Sequence, residues 1–283
     1  MKRILSWAVA MVVIAVLAVG AIWYFSPDTV KSFTQANAVA DVEPEDIWLD
    51  HLFSQNPTDA AAAAAWVEEI GDDAMPIILQ TLRSPQEDRE RKKAALKACG
   101  ILGREAAAAM DDVRTQLLNE DLTATAAMAL SFMGPEALGA LVDGLASPLP
   151  AVRRESLRSI GKLRERGPLE ADQVLPLLIG GMSDQDPVVR EIAATYLGIV
   201  RDRADQSIPV LVGALDDADP TVRHAAANAL GEYGPTAHQA APALKKASGD
   251  KDPEVAREAG RALVNVEAVA AAAPRSGSQE RLP

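Results

Sequence analysis

Asp184-Gln185-Asp186-Pro187-Val188-Val189-Arg190 is followed, 33 residues on, by Asp217-Ala218-Asp219-Pro220-Thr221-Val222-Arg223. Asp250-Lys251-Asp252-Pro253-Glu254-Val255-Ala256-Arg257 repeats the pattern, and Ser147-Pro148-Leu149-Pro150-Ala151-Val152-Arg153 is an earlier, looser copy. Each is a turn between two helices. Proline cannot continue a helix but is accepted in the first turn of the next. The aspartates can accept from the free backbone N–H groups at that start. Before the turn, residues 208–215 carry apolar side chains at helical spacing. After it, runs such as Ala225-Ala226-Ala227 favour helix and let neighbouring helices approach. Glycine is expected to end this second helix.

Working outward, the second helices close near Ile70-Gly71, Cys99-Gly100, Leu130-Ser131, Ile160-Gly161, Leu197-Gly198, Leu230-Gly231 and Leu263-Val264. The steps are 29, 31, 30, 37, 33 and 33 residues. The long step holds Arg164-Glu165-Arg166-Gly167-Pro168 and reads as an enlarged loop. A period of this size marks stacked helical hairpins, because one hairpin cannot bury its apolar face alone.

These motifs resemble HEAT repeats, particularly the short bacterial kind related to phycobilisome-lyase repeats. The resemblance covers residues 57–267. It implies an all-α fold: a right-handed α–α superhelical solenoid of about six hairpins, with second helices lining the concave face. It also implies a structural ladder between repeats, in which turn aspartates pair with helix arginines. That role falls to Asp184 and Arg190, to Asp217 and Arg223, and to Arg153, whose turn begins with serine. The pattern is broken where Leu122-Thr123 replaces Val-Arg, and where Ala256 displaces the arginine by one position. Residues 58–71 and 254–273 read as end caps, and residues 268–283 as the end of the capping helix and a disordered tail.

Ahead of the repeats, residues 4–25 are uncharged and almost all apolar, against roughly 20 residues needed to span a bilayer. Lys2 and Arg3 precede them, Trp23-Tyr24-Phe25 closes them, and the only base between there and Arg83 is Lys31. Residues 1–25 thus read as a transmembrane anchor with the N-terminus cytoplasmic and the solenoid periplasmic or otherwise extracytoplasmic. A cleaved signal peptide is the rival reading. Residues 26–56 hold six acids and one base and read as a solvated tether. Within it, Ile47-Trp48-Leu49 and Leu52-Phe53 suit a short helix docked on the start of the solenoid.

Composition narrows the chemistry. The net charge of -12 and the 25 bases against 34 acids in residues 57–283 argue against nucleic acid. One cysteine, Cys99, excludes an internal disulfide and a cysteine-clustered metal site; on a small-residue helix it reads as an inert core thiol. None of the three histidines is followed by glutamate, so the paired His-Glu motifs of HEAT-type iron hydroxylases are missing. His224 and His238 read as surface residues. The Asp-x-Asp-Pro turns lack the further oxygens calcium requires. Neither catalytic residues, a cofactor nor a metal is expected.

Alignment of the second helices places Lys93 and Lys97, then Met128 and Phe132 with Ala124 and Thr125, then Arg154, Arg158 and Lys162, at equivalent outward positions. Rungs reading basic, apolar, basic suit an acidic protein or peptide partner with an apolar anchor. The bland alternative packs Met128 and Phe132 between helices and leaves the bases solvated. The expectation is a membrane-tethered, non-enzymatic scaffold for protein–protein interaction. The alternative is a lyase or enzyme accessory of the phycobilisome-lyase kind.

Overall fold

The computed structural model describes residues 47–167 and 169–268. The expected membrane span, most of the acidic tether and the C-terminal tail lie outside the described residues. Among the described residues there is no strand, and no helix is long and apolar enough to cross a membrane. The chain divides into two compact units, one ending at Gly134 and the other beginning at Pro135.

The N-terminal unit holds α1 (Ile47–His51), α2 (Pro57–Ile70), α3 (Met75–Arg83), α4 (Arg89–Leu102), α5 (Met110–Leu117) and α6 (Thr123–Leu130). Sequence sets the helix ends. Asn56 Oδ1 accepts from the Thr58 N–H at 3.1 Å, and Asp88 Oδ1 from the Arg91 N–H at 2.8 Å. Gly71 and Gly103, with φ of 54° and 58°, carry the chain out of α2 and α4 into 3-10 turns. The hairpins α3/α4 and α5/α6 stack so that α2, α4 and α6 lie side by side. α1 packs against α2 and α4, burying Trp48, Leu49 and Leu52, with the Trp48 and Trp66 rings 5.7 Å apart. At about 1.5–3 kcal/mol for each large apolar side chain, that burial makes α1 an integral cap.

The C-terminal unit pairs α7 (Leu138–Leu145) with α8 (Pro150–Arg166), α9 (Ala171–Gly181) with α10 (Pro187–Val200), α11 (Ala204–Ala214) with α12 (Pro220–Tyr233), and α13 (Ala241–Ala247) with α14 (Pro253–Glu267). The second helices α8, α10, α12 and α14 form a continuous row. Their starts are capped as the turns require: Asp186, Asp219 and Asp252 each accept from backbone N–H groups two or three residues on. The stretch read as an enlarged loop begins as helix. α8 continues to Arg166, and Arg164 makes a two-pronged bond to Asp202 at 2.8 and 3.1 Å.

Gly71 ends α2 as expected, and Gly103 and Gly234 end α4 and α12, but the other repeating glycines do not end the second helices. Gly100, Gly161, Gly198 and Gly231 all lie inside them. A Cβ on Gly161 would sit 2.3 Å from the Tyr196 ring, and one on Gly198 would sit 2.7 Å from both the Cα and the Cβ of Ala229. These glycines let one second helix approach the next, and the cost of glycine in a helix interior is accepted for that close packing.

Candidate functional site

The described residues place the Asp-x-Asp-Pro-x-Val-Arg turns as latches between repeats. Arg190 makes a two-pronged bond to Asp217 at 2.8 Å, and its third nitrogen donates to the Asp184 and Gln185 carbonyls of its own turn. Arg223 does the same with Asp250 and with the Asp217 and Ala218 carbonyls. Arg153 makes the equivalent set, to Asp184 and to the Ser147 and Pro148 carbonyls. Each acceptor aspartate also takes the N–H two residues on, at 2.8 Å. The arginines therefore hold the Asp184, Asp217 and Asp250 carboxyls below the usual carboxylate range. Where Thr123 replaces arginine, its hydroxyl donates to the Leu117 and Asn119 carbonyls at 3.0 and 2.9 Å. Where the arginine is displaced, Arg257 pairs with Glu254 within its own helix.

The bases expected to form two open rungs are largely engaged. Lys93 pairs with Glu90 at 3.0 Å. Arg154 makes a two-pronged bond to Asp186, the cap of the next second helix, and Arg158 pairs with Glu155. Lys162 is half-buried. Lys97 donates to the Leu52 carbonyl at 2.7 Å, and its ammonium lies 4.9 Å from the centre of the Phe53 ring. The Arg154–Asp186 bond is legible only as a spacing of 32 residues, close to the step between rungs.

The α6 rung is apolar and open. Ala124, Met128 and Phe132 fall on one exposed side of that segment, while Ala126, Ala127 and Leu130 point inward. Met128 is 50% and Phe132 45% exposed, and Phe53 beside Lys97 is 42% exposed. A Cβ on Gly100 would lie 3.8 Å from the Phe132 ring and 3.5 Å from the Ala129 Cα, so Phe132 rests beside a bare stretch of α4. Lys97 is one helical turn before Gly100, which makes Phe53, Lys97 and Phe132 neighbours along α4. Sequence reasoning found Phe53 as part of a docking helix but not as part of this surface.

None of these clusters has the geometry of a catalytic centre. Cys99 is fully buried, and burial, with a smaller contribution from the Asp112 carboxylate, pushes its thiol up to about 12. Among the described residues no three His, Cys, Asp or Glu side chains converge to hold a metal ion. His238 is exposed in the 3-10 turn after α12, and His224 is half-buried on α12.

The family model for HEAT repeats matches residues 112–198, 138–231 and 175–264, which together span more than half of the chain. The chain belongs to the HEAT-repeat family. It is similar to an engineered protein of solved structure (23% identity, 82% of this chain and 70% of that one, TM-score 0.46). It is also similar to YibA of E. coli (16%, 86% and 99%, TM-score 0.49). Human deoxyhypusine hydroxylase in complex with glycerol is a further likeness (15%, 84% and 90%, TM-score 0.37). The sequence matches none of the curated proteins compared with it.

Proposed function

We propose that this protein is a non-catalytic HEAT-repeat scaffold that holds protein partners on the second-helix face of its repeats. Residues 1–25 tether it to the membrane, with the repeats periplasmic or otherwise outside the cytoplasm. The observation that carries the reading is the contrast between repeating and non-repeating residues. The repeating aspartates, arginines and glycines are consumed by stacking, whereas the α6 rung leaves Met128 and Phe132 open to solvent. An exposed apolar row on a folded chain is a surface made for contact. Tethering raises the effective concentration of membrane-bound partners.

Photo-cross-linking amino acids at Met128 on α6 and at Thr195 on α10, in native membranes, test the scaffold. Protein adducts at either position are expected; adducts to lipid alone overturn it. A reporter fused to the C-terminus tests orientation, and activity of a cytoplasm-only reporter there would reverse it.

A further inference from the structure

We propose that the α4–α6 face of the N-terminal unit is a docking site, complete within that unit, for an amphipathic peptide segment whose apolar side chains flank a carboxylate. This deepens the scaffold reading and rests on it. Three half-exposed side chains supply the apolar contact: Phe53 at the end of the α1 cap, and Met128 and Phe132 one turn apart on the α6 rung. Between Phe53 and Phe132 lies the Lys97–Gly100 turn of α4, where glycine leaves the helix surface bare.

Charge selects the occupant. On α4, Arg89 is taken by Glu90 and Asp121, Arg91 by Asp50 and Glu87, and Lys93 by Glu90. Lys97 differs. It donates to the Leu52 carbonyl, no carboxylate among the described residues pairs with it, and an ammonium has three donors. A carboxylate arriving between the two aromatic rings would take a remaining donor where the surrounding apolar surface keeps water sparse. The chain already docks one segment of this chemistry on α4: α1 buries Leu49 and Leu52 while Asp50 pairs with Arg91 at 3.1 Å. A second acidic, apolar helix laid alongside would use the open half of the same helix, as amphipathic helices use apolar grooves elsewhere.

The test is fluorescence anisotropy on the full-length chain in detergent. The probes are labelled amphipathic peptides of about twelve residues with Leu and Phe at i, i+3, i+4 and i+7. Their central polar residue is Glu, Gln or Lys. The Glu peptide is expected to bind, weakening with added salt, and the Lys peptide to bind at least about tenfold less tightly. Phe132→Asp and Lys97→Gln should each weaken the Glu peptide by about tenfold or more. Lys97→Gln also removes the bond to the Leu52 carbonyl beside the α1 cap, so Phe132→Asp decides the matter if the α4 variant loses its fold. Equal binding of all three peptides, no binding of any, or indifference to Phe132→Asp overturns the site. Protein adducts at Thr195 with no peptide binding would remove this site and leave the scaffold standing.

Discussion

Gly198→Ala and Gly260→Ala are the same chemical change inside two helices of the same row, and the structure assigns them opposite signs. Alanine is favoured over glycine in a helix interior by about 0.8–1.0 kcal/mol. At Gly260 in α14 nothing among the described residues lies within 4 Å of the added Cβ, so most of that gain should appear as stability. At Gly198 the added Cβ would lie 2.7 Å from the Ala229 Cα and Cβ. The obstacle is backbone, so it cannot rotate away, and α10 and α12 must part. Overpacking of this kind costs about 1–3 kcal/mol, and against a backbone obstacle the upper part of that range applies, so after the propensity gain a net loss of up to about 2 kcal/mol is expected.

The assay is urea unfolding of the purified chain by far-UV circular dichroism, read as midpoint shifts at unchanged m. Gly198→Ala should lower the midpoint and Gly260→Ala should raise it. Adding Ala229→Gly to Gly198→Ala should recover part of the loss but not all, because the backbone of residue 229 still obstructs the new methyl. If Gly198→Ala raises the midpoint as Gly260→Ala does, the glycines are not seats for neighbouring helices.

Arg223, 5% exposed and bonded to Asp250 and two carbonyls, should cost about 1.5–3 kcal/mol when changed to Met, because the half-buried Asp250 carboxylate loses its charged donor and keeps only a backbone N–H. The exposed Arg257 pair should cost close to nothing in the same melt. Because Asp184, Asp217 and Asp250 titrate low when folded, the unfolded chain binds more protons near its carboxylate range, about 3.9. Stability is therefore fully present above about pH 4 and lost as pH falls through the lower folded values; melts across that range should show the loss, and Arg223→Met should flatten it. Cys99, with its thiol pushed up to about 12, should resist a thiol-specific disulfide reagent at mildly alkaline pH in the native chain and react promptly in urea; fast native reaction would contradict its burial.

The repeat was legible because the turn carries its structural roles within seven residues, from Asp184 to Arg190. Stop, cap and latch donor all follow from local chemistry there. The interior glycines misled for the opposite reason, although Gly71 does end its helix. Propensity reads Gly198 as a helix end, whereas its role is set by Ala229, one repeat away, and tertiary packing overrides the local signal. The same holds for residues 164–166, expected in an enlarged loop because the step there is long, whereas they continue α8 and Arg164 bonds to Asp202. Among the candidate site residues, sequence placed Met128 and Phe132 on the outward side of their helix. It could not show that Glu90, Asp186 and Glu155 engage Lys93, Arg154 and Arg158, because those partners depend on side-chain reach across a surface.

That difference bears on where function can reside in such a chain. A residue that recurs at every step has the same neighbours at every step, so its chemistry is spent on the neighbouring repeat. Arg153, Arg190 and Arg223 engage every guanidinium nitrogen within the ladder. Asp184, Asp217 and Asp250 each accept from an arginine fork and a backbone N–H. Two repeats break the rule, the last, where Arg257 pairs within its own helix, and the one built on Thr123. At Thr123 a short hydroxyl satisfies the turn carbonyls without an arginine reaching outward, and the same helix carries Met128 toward solvent, with Phe132 following it on the same side. Loss of the arginine and gain of an open apolar surface occur together in a single rung. Restoring the consensus with Thr123→Arg would therefore leave the exposure of Met128 and Phe132 unchanged, since they lie one and two turns further along. The second substitution that matters, Phe132→Asp, removes the apolar surface while leaving the turn intact. If peptide binding followed Thr123→Arg and ignored Phe132→Asp, the turn rather than the apolar rung would be the functional element, and the argument from broken repetition would fail.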